Sequence, residues 1–214
     1  MQACVDHLVF ATDSLDAGAD WLEHRLGVPL SAGGSHSIMG THNRLLRLGS
    51  RLYLELIAID PKAKQPNRAR WFGLDGFKAG GQKARLIAWA VCVTDLAGLK
   101  PSYDAGRPMP MSRGDLSWRI SVREDGSMPE NGALPALIEW PSGVHPATSL
   151  PDRGVWLEEM EIFAPDPGPV KSAFASIGLD PAANRIAILP DIEGPRLSIR
   201  LKTPNDLVSF STSG

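Results

Sequence analysis

His7 and Glu55 are the residues whose types and setting could carry chemistry. His7 stands in the apolar run of residues 5–11, and Glu55 in Tyr53-Leu54-Glu55-Leu56-Ile57. Side chains alternate across a strand, so Val5, His7 and Val9 are expected on one face, and Tyr53, Glu55 and Ile57 on one face of the other run. If the two strands are neighbours, imidazole and carboxylate converge in one concave pocket. Both are competent ligands for a divalent zinc, iron, manganese or nickel ion. A buried, hydrogen-bonded His–Glu pair without metal explains the same pattern, since charged residues are seldom buried unless paired.

Other polar and aromatic side chains could serve the same pocket. His36 and His42 flank the Gly40-Thr41 turn, and Asn43 opens the next strand, so this segment could present polar groups to the cleft mouth or simply build the turn. His145 stands in a proline-rich connector from which it could reach the cleft, whereas His24 reads as a solvated helix residue. Trp89, Trp118 and Trp140 lie in strand-like runs and could line an aromatic pocket; core packing is the commoner fate of strand tryptophans. Gly33-Gly34-Ser35-His36 lacks the spacing and the basic residue of a phosphate loop, and no nucleophile-elbow sequence supports a hydrolase triad.

The elements that must position these groups repeat along the chain as a strand followed by a short helix. Residues 5–11 run into Thr12-Asp13-Ser14, where Asp13 or Ser14 can cap a helix with apolar positions at Leu15, Ala19, Leu22 and Leu26, ended by Gly27. Residues 86–93 and Thr94-Asp95-Leu96 repeat the order, with a short helix expected to end near Ser102. Residues 155–163 repeat it again, with Asp166 as cap, Pro167 at the first helical position and Gly178 as stop. Further strands are expected at 30–38, 43–48 and 52–59, at 109–111, 116–122 and 136–140, and at 185–189 and 197–201. One helix per group of strands argues for an α+β fold of curved sheets. The whole chain reads as a single domain: module one at 1–60, a connector at 61–83, module two at 84–146 and a partial βαββ unit at 154–203. The first connector carries Trp71, Phe72 and Phe77, which argues that it is pinned to the body rather than free.

Composition narrows the partners. The 214 residues carry a formal charge of -2 and no run of like charges, so there is no footprint for nucleic acid or an anionic membrane, and a small molecule is the expected ligand. No segment reads as a membrane span, and the N-terminus lacks the basic start of a signal peptide. With two cysteines, Cys4 and Cys92, a reducing cytoplasm is the expected setting and a structural disulfide is not.

A set of ordered motifs then carries a resemblance. Asp6-His7-Leu8-Val9, Gly33-Gly34-Ser35-His36, Gly40-Thr41-His42-Asn43, Tyr53-Leu54-Glu55-Leu56-Ile57, Arg70-Trp71-Phe72, Trp118-Arg119, Leu134-Pro135, Glu139-Trp140 and His145-Pro146 together resemble the glyoxalase-like domain family of the vicinal-oxygen-chelate superfamily. The resemblance implies βαβββ modules whose sheets curl around a cleft, often with a divalent metal held by the first and last strands of each module. It implies His7 and Glu55 as the metal positions of module one and Glu139 as the last-strand position of module two. The matching first-strand position is Ala88, which has no donor.

Two functional classes follow from the resemblance. One is a metal-dependent lyase, isomerase or dioxygenase in which the cation stabilises enolate charge and Glu55 or Glu139 is ligand or general base. The other is a metal-free protein that binds or sequesters a small molecule, which the alanine at position 88 favours. A homodimer is expected by analogy with paired modules of this superfamily. In either class His36, His42, Asn43, Tyr53, Trp89, Trp118, Trp140 and His145 are the candidate ligand contacts.

Overall fold

In the computed structural model, which describes residues 3–80, 83–141 and 143–212, the chain begins with β1 (Cys4–Ala11) and α1 (Leu15–Leu26). Ser14 caps α1 by accepting from the Ala17 amide, and Gly27 ends it in the left-handed region at φ 71°. The hairpin strands β2 (Ser31–His36), β3 (Thr41–Arg47) and β4 (Tyr53–Ile59) follow, and β4 returns parallel to β1. The second half comprises β5 (Arg85–Cys92), β6 (Arg107–Arg113), β7 (Leu116–Val122) and β8 (Ala136–Glu139), with β8 parallel to β5.

These strands form one eight-stranded sheet in the order β2-β3-β4-β1-β5-β8-β7-β6. The two halves meet where β1 and β5 run antiparallel, and the outermost strands β2 and β6 come into contact, so the sheet curls round one of its faces. A final unit of β9 (Trp156–Ala164), α2 (Pro167–Ser176), β10 (Ile186–Pro190), β11 (Arg196–Lys202) and β12 (Leu207–Ser211) makes a second sheet in the order β10-β9-β11-β12. The fold is α+β with mixed sheets, as the strand–helix repeat predicts.

Strand alternation divides the apolar residues between two cores. Leu8, Phe10, Leu54, Leu56 and Trp89 face outward and pack with α1 and with the third unit, including Met160 and Phe174. Val9, Ile57, Ala88, Ala90 and Ile138 face into the curl with Trp118 and Trp140. Trp89 is completely buried on the outer side, its indole N–H donating to the Ala133 carbonyl at 3.2 Å and its ring edge-on to Phe174. It is therefore a core residue and not the ligand contact expected from sequence; its position in β5 fixes the face it takes.

Three further expectations are corrected. Residues 94–102 form turns rather than a helix: the Asp95 carboxylate accepts from the Gly98 amide and the Glu139 carboxylate takes the Leu96 amide, so side chains supply acceptors a helix would have supplied from the backbone. β12 was not expected, because Leu207-Val208-Ser209-Phe210-Ser211 is short, lacks strict alternation and sits exposed or half-exposed at a sheet edge. In β1 the alternation breaks. The register shifts between Val5 and His7, leaving Asp6 as the extra residue of a β-bulge and sending Val5 to the outer core. The end of the expected connector, Gly81 and Gln82, lies outside the described residues.

Because Trp89 joins the main sheet to the third unit, Trp89→Ala should lower stability by about 3–5 kcal/mol through the cavity and the lost hydrogen bond. Chemical denaturation with an unchanged m-value checks it.

Candidate functional site

The bulge at Asp6 is what builds the site. It brings the Asp6 carboxylate beside His7, whose Nδ1 lies 2.7 Å from Asp6 Oδ1, and both side chains are buried. The other carboxylate oxygen meets the Trp140 indole N–H at 2.8 Å and His145 Nε2 at 3.2 Å. His145 Nδ1 accepts the Ala147 amide at 3.2 Å, so its hydrogen is on Nε2 and is donated to Asp6. Burial pushes the Asp6 carboxyl up, but hydrogen bonds from His145 and His7 outweigh it and hold it at about 2. An ionised Asp6 keeps the His7 hydrogen on Nδ1 and leaves the Nε2 lone pair turned to the cleft. The imidazole is stacked on Tyr53, with ring centres 4.8 Å apart.

Across from His7 Nε2 stands Glu55 Oε2, 3.9 Å away and beyond hydrogen-bond range. Glu55 Oε1 accepts from Asn43 Nδ2 at 2.5 Å. The orientation of that amide is set by two donors on its oxygen, the Gly34 amide at 2.9 Å and Arg113 Nη1 at 3.0 Å. Gly33 and Gly34 are the residues that allow this approach: a Cβ at Gly33 would lie 2.0 Å from Asn43 Oδ1, and one at Gly34 would lie 2.8 Å from the Arg113 side chain. His36 completes the polar wall, with Nδ1 3.0 Å from Thr41 Oγ1 and Nε2 3.5 Å from Asn43 Nδ2. Burial pulls the His36 imidazole down to about 4, so it is neutral near pH 7.

The opposite wall is apolar. Trp118, Ile120, Ile138 and Trp140 line it from the second half of the sheet. Trp71 and Phe72, in a 3-10 turn over Trp71–Gly76, close the top. This strap is tied down by Arg70 on Asp75 at 2.5 Å and by the Gly73 amide on the Gly126 carbonyl at 2.8 Å, with Phe72 in the left-handed region at φ 58°. The cavity left inside is about 20 Å³, room for one water molecule. The indole nitrogen of Trp71 is buried without a hydrogen-bond partner.

His7, His36, Tyr53, Glu55, Trp118 and Trp140 thus share one cleft, with Asn43 holding Glu55 and His145 behind Asp6. Glu139 is not with them. It sits between Ile138 and Trp140 on β8, so alternation sends it to the outer face, where it pairs with Arg119 at 2.5 Å and the Leu96 amide at 3.0 Å. His42 alternates with Thr41 and Asn43 and lies on the face where Arg44 meets Asp16 of α1. Asp6, Arg113 and Trp71 are the site residues that sequence reasoning did not single out. Asp6 is hidden by alternation, and Arg113 reaches the site only because the sheet curls.

For a metal of the kind the resemblance implies, the donor set does not fit. Module one offers His7 and Glu55, while the inward positions of module two are Ala88, Ala90, Ala136 and Ile138. Among the described residues no group of three His, Cys, Asp or Glu side chains is placed to hold a metal ion.

Two four-stranded halves joined at β1 and β5 around a single cleft define a paired-module α+β protein. The model of the glyoxalase-like domain matches residues 5–178, and the chain belongs to that family. Among solved structures it is similar in fold to a hypothetical protein from Staphylococcus aureus, with 15% identity over 99% of this chain and 85% of that one and a TM-score of 0.53. Similarity also extends to a methylmalonyl-CoA epimerase in complex with methylmalonyl-CoA and NH4+, at 16% identity over 68% of this chain and 100% of that one with a TM-score of 0.42. A hypothetical protein from Bacillus halodurans matches at 15% identity over 68% of this chain and 99% of that one, with a TM-score of 0.43. No curated protein matches the sequence.

Two titrations should be visible in stability. The folded chain resists protonation of His36 until about pH 4, whereas an unfolded histidine takes a proton near pH 6.5, so stability should fall by about 3 kcal/mol as pH drops through that window. Denaturation at pH 7 and pH 4.5 checks it, and His36→Gln should flatten the slope. Asp6 is depressed instead, so its contribution is complete above about pH 4 and lost toward pH 2. At pH 7, Asp6→Asn should cost about 3 kcal/mol, because one amide oxygen cannot accept the three donors that converge there.

Proposed function

We propose that this chain binds a small molecule in the cleft and moves a proton on it without a metal, with His7 as the base. The observation that carries the reading is the Asp6–His7 pair, in which the carboxylate fixes the imidazole tautomer and leaves Nε2 facing the cleft. A buried carboxylate on Nδ1 also stabilises the imidazolium formed when Nε2 takes a proton. Glu55, held by Asn43 at 2.5 Å, is the second acid–base group, 3.9 Å from Nε2.

The walls describe the ligand. Trp118, Trp140, Ile120 and Ile138 favour an apolar, flat body, and the unpartnered Trp71 N–H calls for an acceptor such as a carbonyl oxygen. A cavity of about 20 Å³ admits such a molecule only when the Trp71–Phe72 strap lifts. Of the reaction types open to the superfamily, isomerisation and elimination need a base and are served by these groups. Ring-opening oxygenation needs a redox metal held by more donors than this cleft supplies. Metal-free sequestration uses the same walls and leaves His7 idle.

One set of measurements separates these. Protein purified without chelator should contain less than a tenth of an equivalent of zinc, iron, manganese or nickel. Acetophenone or 1-phenyl-1,2-propanedione should raise Tm by several degrees. In D2O the wild type should speed deuterium entry beside the carbonyl of such a ketone, and His7→Ala should lower that rate at least 100-fold. Stoichiometric metal lost in both His7→Ala and Glu55→Ala would replace this reading with the metal-dependent one. A thermal shift without exchange would leave sequestration.

A further inference from the structure

The cleft chemistry does not use the two cysteines, yet the fold sets them face to face. Cys4 on β1 and Cys92 on β5 are direct cross-strand partners at the antiparallel junction of the two halves, both free and both half-buried. Opposed residues of an antiparallel pair have Cα atoms roughly 4.5–5.5 Å apart, within the span a disulfide bridges. Cys4 also lines an open groove of about 510 Å³ between the main sheet and the third unit, with Arg51 and Asn184 beside it, so a small oxidant can reach its sulfur.

We infer that Cys4 and Cys92 are a peroxide-reactive dithiol that closes to a reversible disulfide across the β1–β5 junction. The two sulfurs have different roles. A hydrogen bond from Cys92 lowers the Cys4 thiol to about 7, against burial and the nearby Asp6 carboxylate and helped by Arg51, whereas the same contact and burial push the Cys92 thiol up. Because Cys4, not Cys92, lines the open groove, Cys4 is the attacking thiolate and Cys92 the resolving thiol.

The chemistry balances with hydrogen peroxide as oxidant. The Cys4 thiolate attacks one peroxide oxygen and the O–O bond breaks, giving a sulfenic acid at Cys4 and hydroxide, which takes up a proton to become water. The Cys92 sulfur then attacks the Cys4 sulfur, the S–O bond breaks, and the hydroxyl leaves with the Cys92 proton as a second water. Two thiols are oxidised by two electrons and one peroxide is reduced to two waters. A dithiol reductant reverses the change. The new bond ties the halves together two residues before the Asp6 bulge, so oxidation also stiffens the strand that carries the site.

Hydrogen peroxide on the intact chain, followed by peptide mapping without reductant, tests this. The expected product is a Cys4–Cys92 linked peptide within one chain, a loss of two hydrogen masses, and a Tm raised by about 5 °C or more that dithiothreitol returns to its starting value. Cys92→Ser should stop at a sulfenic acid on Cys4 trapped by dimedone, and Cys4→Ser should react at least 10-fold more slowly. The wild-type map decides the matter even if a variant folds poorly. Two thiols still free after exposure, linkage only between chains, or direct over-oxidation to sulfinic acid would overturn it.

Discussion

Asp6 is the charge around which the site is organised. A carboxylate with no exposed surface is stable only if its lone pairs are satisfied, and here His7, Trp140 and His145 supply three donors from β1, the end of β8 and the following connector. Because those donors belong to both halves of the sheet, the charge also fixes how the halves meet. It orients His7 from behind, fixes Trp140 as part of the aromatic wall, and draws the second connector inward. The β-bulge that delivers Asp6 is thus what brings these contacts together.

The two halves have diverged in chemistry while sharing a plan. Inward positions of the first half are His7, Glu55 and Asn43, and those of the second are Ala88, Ala90, Ala136 and Ile138. The cleft therefore has one polar wall, carrying His7 and Glu55, and one apolar wall, carrying Trp118 and Trp140. Arg113 crosses from β6 to Asn43 and links the polar wall to the far edge of the curled sheet. The strap of Trp71 and Phe72 closes the cleft down to room for about one water molecule, which strengthens each polar interaction beneath it.

Much of this was legible in the sequence for a physical reason. Period-two alternation locates His7 and Glu55 on one face whenever their strands are regular, and the cap and stop residues Ser14, Gly27, Asp166 and Gly178 mark helix ends by backbone chemistry. The resemblance named the family and the plan of the fold. Where alternation fails, the reading fails: the bulge at Asp6 reverses Val5 and hides the carboxylate, and one-residue parity separates Glu139 from the cleft that Ile138 and Trp140 line. Arg113 was out of reach, and Trp71 was read only as pinning its connector, because curling of the sheet and folding of the connector, not sequence spacing, bring them to the site.

The central claim is that Asp6 holds His7 with its proton on Nδ1 and its lone pair on Nε2. Long-range nitrogen–proton correlation spectra of 15N-histidine-labelled protein at neutral pH read this directly, with His7→Gln identifying the signal. A pyrrole-like shift for Nδ1 and a pyridine-like shift for Nε2 are expected, with the pattern lost in Asp6→Asn. A His7 ring protonated on Nε2 alone, or a tautomer unchanged by Asp6→Asn, would contradict it.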